Sequence, residues 1–189
     1  MGGNISSKGT KVLIIGSIGM DQTIFKDDIP KYGEIKKAKI VKNPGGKGNN
    51  EAIACARAGG ETTFIGVVGD DYQTVLERTL IENNISPILT KLKTIDSHTA
   101  SIIVGNNGES KIIVNPGADE YLDKNIINNN LNFVEKASII MLQLEIPIET
   151  VEYVIDISHR IGKTIILNPS PPIQLPDKTA QEWHHTHSC

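Results

Sequence analysis

Of the 189 residues only two are cysteine, Cys55 and Cys189, one is tryptophan, and aromatic side chains make up 4% of the chain. Two cysteines placed this far apart offer neither a disulfide framework nor the paired spacing of a zinc site. A reducing, cytoplasmic setting is the resulting expectation. No apolar run approaches the roughly 18 residues that cross a bilayer as a helix, and the N-terminus has no apolar core of a secretory signal. Positive charge is not in excess: 19 Lys and Arg against 22 Asp and Glu leave a formal net charge of -3. Such a balance supplies no field for nucleic acid or for an anionic membrane. What is present is ordinary globular composition, 39% hydrophobic and 22% charged, enough for one sizeable domain. At the start, "MGGNISSK" fits Met-Gly-x-x-x-Ser, a pattern that in a eukaryotic cell would open Gly2 to N-myristoylation, as the minor reading. The other reading of residues 1–10 is a flexible leader rich in Gly and Ser.

Strand and helix periods alternate along the chain. "KVLIIGSI" from Lys11 is a β-branched apolar run ended by Gly, as in a strand buried on both faces. "NNEAIACARAGG" reads as a helix with small residues for close packing and glycines for its stop. "TTFIGVVG" is a second strand, "DDYQTVLERTLIENN" an amphipathic helix and "SPILTKL" a third strand. Further on, "ASIIMLQLE", "IETVEYVIDISHRIGK" and "KTIILNPSP" read as strand, helix and strand. Repeated β-α-β predicts an α/β fold, a doubly wound parallel sheet covered on both faces, with ligands beyond the carboxyl ends of the strands. Two segments, about 27–43 and 98–117, have hairpin character instead. The second pairs "ASIIV" with "SKIIV" across "GNNGE". They predict a small β-sheet lid or, alternatively, an antiparallel edge of the main sheet. "NIINNNLNF" is Asn-rich but too short to count as low complexity.

"NPGGKGNNEA", Asn43 to Ala52, sits where a helical pattern begins. A Walker phosphate loop requires Gly, four residues, then Gly-Lys-Ser/Thr. Here Gly48 follows Gly46-Lys47 and Val41 stands where the first Gly belongs, so that reading fails. A dinucleotide fingerprint is also missing, since "GSIGMD" lacks the GxGxxG spacing. A cradle for a polyol fits better. Glycines let hydroxyls approach backbone N–H groups, the helix start adds unpaired donors, and Lys47 and Asn50 match the donor and acceptor character of a sugar hydroxyl. Asp21, just past the first strand, is a carboxylate able to accept from two adjacent hydroxyls, and Glu145 ends "MLQLE" at a later strand tip. In a parallel sheet these tips share one edge, so Asp21, the Gly45 to Asn50 loop and Glu145 are expected to converge. A tight turn before a helix remains the plain alternative for the loop.

Taken in order, "GSIGMD", "NPGGKGNNEAIACARAGGETTFIGVVGDD", "HTASIIV", "NPGA", "LQLEIP" and "LNPSP" resemble the PfkB carbohydrate kinase family in its ribokinase branch. The stretch from Gly45 to Gly69 matches that family's N-terminal signature throughout, and the resemblance runs from about Lys11 to Pro176. It implies a partial domain over 11–176, with the two hairpin segments as a lid that can also form a homodimer interface. It implies transfer of the ATP γ-phosphoryl group to a sugar, D-ribose first, with Mg2+ and a monovalent cation such as K+. Asp21, Gly45, Gly46, Lys47, Asn50 and Glu145 fall on sugar-binding positions.

Several departures accompany the match. Where the branch usually has Asn-x-Asp, this chain has Gly19-Met20-Asp21, which removes an amide from the sugar pocket. The Gly-Ala-Gly-Asp turn that carries the family's catalytic Asp has no counterpart, nor has its magnesium-linked Asn-x-x-Glu. No catalytic residue is therefore assigned, and the chain alone is expected to be inactive. Residues 177–189 read as a non-homologous tail whose His184, His185, His187 and Cys189 lack a framework to hold zinc. The alternatives are a non-catalytic sugar-binding or dimerising fragment, and a kinase for another sugar or a nucleoside.

Overall fold

The computed structural model describes residues 9–25, 32–35, 37–105 and 108–173. The leader, Gly2, part of the first lid segment and the tail 177–189 lie largely or wholly outside them. Among the described residues, two sheets are built. The larger is five-stranded, with order β5-β4-β1-β8-β9, and every pairing in it is parallel. Its strands are β1 (Lys11–Ile15), β4 (Glu61–Gly69), β5 (Ser86–Leu92), β8 (Ile139–Gln143) and β9 (Thr164–Asn168). Helices α1 (Lys47–Arg57) and α2 (Gln73–Glu82) cover one face. There Ala52, Leu76 and Leu80 pack on Val12, Ile14, Phe64 and Val68. The other face takes α3 (Lys124–Asn128), α4 (Leu131–Lys136) and α5 (Ile148–Arg160), whose Ile127, Val134, Val151 and Val154 bury Leu13, Ile15, Ile140 and Leu142.

Alternate residues of β1 thus enter opposite cores, which is why "KVLII" shows no polar alternation. The sheet is doubly wound. The chain steps outward from β1 through β4 to β5, then returns to the other side of β1 for β8 and β9. The winding reverses between β1 and β8, and the crevice beyond their carboxyl ends is where such folds bind ligands.

The second sheet has four strands in the order β3-β2-β6-β7: β2 (Gly19–Phe25), β3 (Lys39–Gly45), β6 (His98–Val104) and β7 (Ser110–Asn115). It is separate from the main sheet, and β6 and β7 form the hairpin read from the sequence. The other ribbon differs from expectation. Its first arm is β2, starting at Gly19, which lies before the segment 27–43 and pairs antiparallel with β3 across it. "GSIGMD" is therefore the root of a strand rather than a loop.

This sheet is pinned to the body at its base. Ser97 donates from its backbone N and Oγ to Asp71 Oδ1 at 2.9 and 2.7 Å, and its Oγ accepts from Gly69 N at 2.9 Å. Gly69 allows the approach, because a Cβ there would lie 2.2 Å from Ile95 O.

The stretch 117–136 holds more structure than "NIINNNLNF" shows. A 3-10 helix (Gly117–Tyr121) precedes α3 and α4, and Asp123 caps α3 by accepting from Ile126 N at 2.9 Å. Helices of five and six residues are too short to display a 3.6-residue period.

Close packing of α1 on β1 depends on Gly48, where a Cβ would meet Ser17 O at 2.8 Å and Gly16 C at 2.9 Å. Gly48→Ala is expected to lower stability by about 1–3 kcal/mol, read as a lower midpoint in urea; an unchanged midpoint would show that the helix can shift at no cost.

Candidate functional site

Ser17 and Glu145 follow the carboxyl ends of β1 and β8, and α1 starts between them. The Glu145 carboxylate draws these pieces together. Its Oε2 accepts from Ser17 Oγ at 2.6 Å and from Lys47 N at 3.0 Å, and its Oε1 accepts from Lys47 Nζ at 2.8 Å. Ser17 in turn accepts from the next two amides of α1, Gly48 N on Oγ at 3.3 Å and Asn49 N on its carbonyl at 3.0 Å. Gly46, the residue before the helix, has φ 91 and no side chain to cap with. Glu145 and Ser17 do the capping from elsewhere in the fold.

This corrects one expectation. The first amides of α1 were expected to face a ligand, but they are bonded to Ser17 and Glu145. The glycines likewise make room for the protein's own groups. A Cβ on Gly45 would lie 2.2 Å from the Asp21 carboxylate, and one on Gly46 would lie 2.9 Å from Ser17 O. Sequence reasoning had given both spaces to a ligand, because it could not see which strand would cross above them.

Asp21, Lys47 and Glu145 do converge. Asp21 projects from β2 over Gly45, and its titration responds to His98, Glu145 and Lys47. Burial pushes the Asp21 carboxyl above its ordinary range, with Glu145 adding to the rise and His98 and Lys47 opposing it. Burial acts on Glu145 too, but the bonds from Lys47 and Ser17 outweigh it and hold that carboxyl below its usual value. Asn50 is exposed one turn along α1 from Lys47, on the same side of the helix. Its neighbour Asn49 is fully buried, and neither atom of its amide has a hydrogen-bond partner.

A cleft of about 830 Å³ opens beside Lys47 and Glu145, lined also by His98 and Val114 of the small sheet and by Pro171. His98, Ser17 and Asp119 were not singled out from the sequence, although "HTASIIV", "GSIGMD" and "NPGA" contain or adjoin them. Asp119, in the 3-10 helix, is wholly buried; it accepts from Ile18 N at 3.3 Å on Oδ1, and its Oδ2 lies 2.9 Å from His98 Nδ1. That last contact is an ion pair only when the imidazole is protonated. A second cluster lies behind α1, where Glu51 accepts from Gln143 and, at 2.9 Å, from Asn168.

Desolvation drives the Asp119 pKa from 3.8 up to about 7, with His98 pulling the other way. Burial alone would lower His98, but Asp119, Glu145 and Asp21 together bring it above its ordinary value. Both shifts have one sign for stability. A raised folded pKa contributes stability at low pH that disappears as pH climbs through the folded value. Relative to Asp119→Asn, the native chain should therefore lose stability between about pH 4 and 8, measured by urea denaturation across that range; parallel profiles would contradict this placement of the pair. Truncating the carboxylate in Glu145→Ala should cost about 1–3 kcal/mol by leaving Ser17 Oγ and the α1 amide without an acceptor.

Comparison with known proteins bears on the family and the fold. The family described as pfkB family carbohydrate kinase matches residues 9–185. The ribokinase of Bacillus subtilis is 35% identical over 171 residues, covering 89% of this chain and 58% of its own. A deoxyribokinase of Salmonella typhi is 31% identical over 166 residues, covering 86% and 54%. Among solved structures, the ribokinase of Thermotoga maritima superimposes with a TM-score of 0.82 at 29% identity, covering 92% of this chain and 57% of that one. The chain thus spans a little over half the length of the curated relatives it matches. With its sheet order, its separate four-stranded sheet and its match from residue 9 to residue 185, the chain belongs to the pfkB family of carbohydrate kinases.

Proposed function

We propose that this chain supplies the sugar-holding part of an ATP-dependent sugar kinase that converts D-ribose to ribose 5-phosphate. The observation that carries the reading is the meeting of Asp21, Lys47 and Glu145 beside a cleft at the reversal point of the sheet. In this account Asp21 accepts hydrogen bonds from adjacent sugar hydroxyls. Its desolvated setting strengthens such bonds, since water competes less for the carboxylate. Gly45 and Gly46 let the Asp21 carboxylate and the Ser17 backbone close up at the start of α1, and Asn50 offers an amide that both donates and accepts. Lys47, fixed by Glu145, sets the charge of the pocket floor.

The small sheet acts as the lid over this pocket, consistent with Val114 and Ile112 lining the cleft. Its exposed Ile113 and Ile40, which share the face turned away from the cleft, are the surface through which two copies would pair. Holding the acceptor and excluding water are the parts of phosphoryl transfer that such a half can perform. ATP supplies the phosphoryl group when bound; no residue of this chain is assigned to it. Magnesium held largely by phosphates needs only one or two protein carboxylates. Among the described residues no group of three or more His, Cys, Asp or Glu side chains gathers as a metal site. No step is therefore placed on a metal here, nor on K+. Ribose is preferred as the acceptor on the side of the ribokinase relative, which shares more identity with this chain than the deoxyribokinase does.

Calorimetry with ribose and 2-deoxyribose tests the reading. Saturable ribose binding is expected, weakened at least tenfold, about 1.4 kcal/mol, by Asp21→Asn; equal affinity in the variant would move the site elsewhere. With ATP and magnesium added, the chain alone is expected to show no turnover of ribose, and a rate like that of an intact sugar kinase would overturn the assignment of a holding role only.

A further inference from the structure

His98 and Asp119 form a buried pair that the reading above does not use. Strand register fixes where the pair points. Gly19 of β2 is opposite both Gly45 of β3 and His98 of β6, while Asp21 is opposite Asn43 and Ala100. Residues opposite one another in a sheet share a face, as do residues two apart along a strand. His98, Gly19, Gly45 and Asp21 therefore lie on one face of the small sheet, in rows about 7 Å apart. That face also carries Val114, opposite Ala100, and it looks onto the cleft that His98 and Val114 line. Gly19, in the same row as His98, brings no side chain to that face. A Cβ at Gly19 would fall 2.1 Å from His98 O and 2.7 Å from His98 Cβ, so a side chain at 19 would collide with the His98 backbone and Cβ.

The imidazole is held at one edge. Its Nδ1 lies 2.9 Å from Asp119 Oδ2, and Asp119 is itself anchored by the Ile18 amide. His98 is 3% exposed and still borders the cleft, and Nε2 is the ring nitrogen not turned to Asp119.

We propose that His98 is a substrate-contacting specificity residue, whose Nε2 hydrogen-bonds a hydroxyl of the sugar on the side of Asp21 left bare by Gly19, and that Asp119 is the positioning residue that aims it. This rests on the sugar-site reading above. The ligand class is a polyhydroxylated ring. A hydroxyl donates and accepts, so it can meet Nε2 whether the ring is neutral or charged. An acceptor and a donor-acceptor in neighbouring rows of one sheet face suit hydroxyls at two ends of a monosaccharide better than one isolated alcohol. The charged groups that face the imidazole are Asp119, Glu145 and Asp21.

The full chain serves for the test. In 15N spectra of its imidazoles, added ribose is expected to shift His98 Nε2 and leave Nδ1 nearly still; an unmoved Nε2 under saturating ribose overturns the proposal without any variant. By calorimetry, His98→Ala should bind ribose about tenfold more weakly, and His98→Gln, which restores a polar group of similar reach, should recover part of the loss. If His98→Ala binds ribose like the native chain while Asp21→Asn does not, the proposal fails and the sugar site stands. If the native chain binds no ribose, the sugar-site reading fails and this proposal with it.

Discussion

One carboxylate holds the functional end of this molecule together. Glu145 follows the strand on one side of the sheet's reversal point, Ser17 follows the strand on the other, and Lys47 begins the helix between them. The Lys47 amide and ammonium and the Ser17 hydroxyl all donate to the same Glu145 carboxylate. A carboxylate at a helix start meets both the orphan amides and the positive end of the helix dipole. That accounts for a side chain 98 residues from Lys47 in sequence acting as its cap. Because β2 leaves β1 at Gly19 and β3 delivers the chain to α1 at Gly46, the same tie sets the base of the small sheet, and with it the position of Asp21.

Electrostatics divides the acidic groups by what surrounds them. Glu145 is buried but fully bonded, so it stays charged; Asp21 is half-buried and shares its surroundings with another carboxylate, so its pKa rises. Asp119 is buried with one amide and one imidazole for company and rises furthest. Burial alone does not decide these outcomes. Donors aimed at a carboxylate offset it, enough to win at Glu145 and not at Asp119.

Much of the fold was legible in the sequence because its signals are local. Buried parallel strands such as "KVLII" and "TTFIGVVG" read as unbroken apolar runs, and "IETVEYVIDISHR" shows its helical period directly. Convergence of Asp21, Lys47 and Glu145 was also legible, since strand tips of a parallel sheet share one edge. What was not legible depends on register and tertiary contact. Gly19 was read only as an amide lost from the sugar pocket, whereas it is also the first residue of a strand packed against His98. The N-terminal amides of α1 were assigned to a ligand because nothing local shows that Ser17 and Glu145 reach them first. The short helices after Asp123 were invisible for want of length, and Asp119 for want of a partner within reach in the sequence.

The central claim is that a sugar sits beyond the carboxyl ends of β1 and β8, beneath the small sheet. Amide hydrogen exchange of the chain with and without ribose tests it most directly. The account predicts slowed exchange in Ser17–Asp21, Gly45–Glu51 and Gln143–Ile146, with α5 unchanged; slowing confined to other segments, or no slowing at saturating ribose, would contradict it.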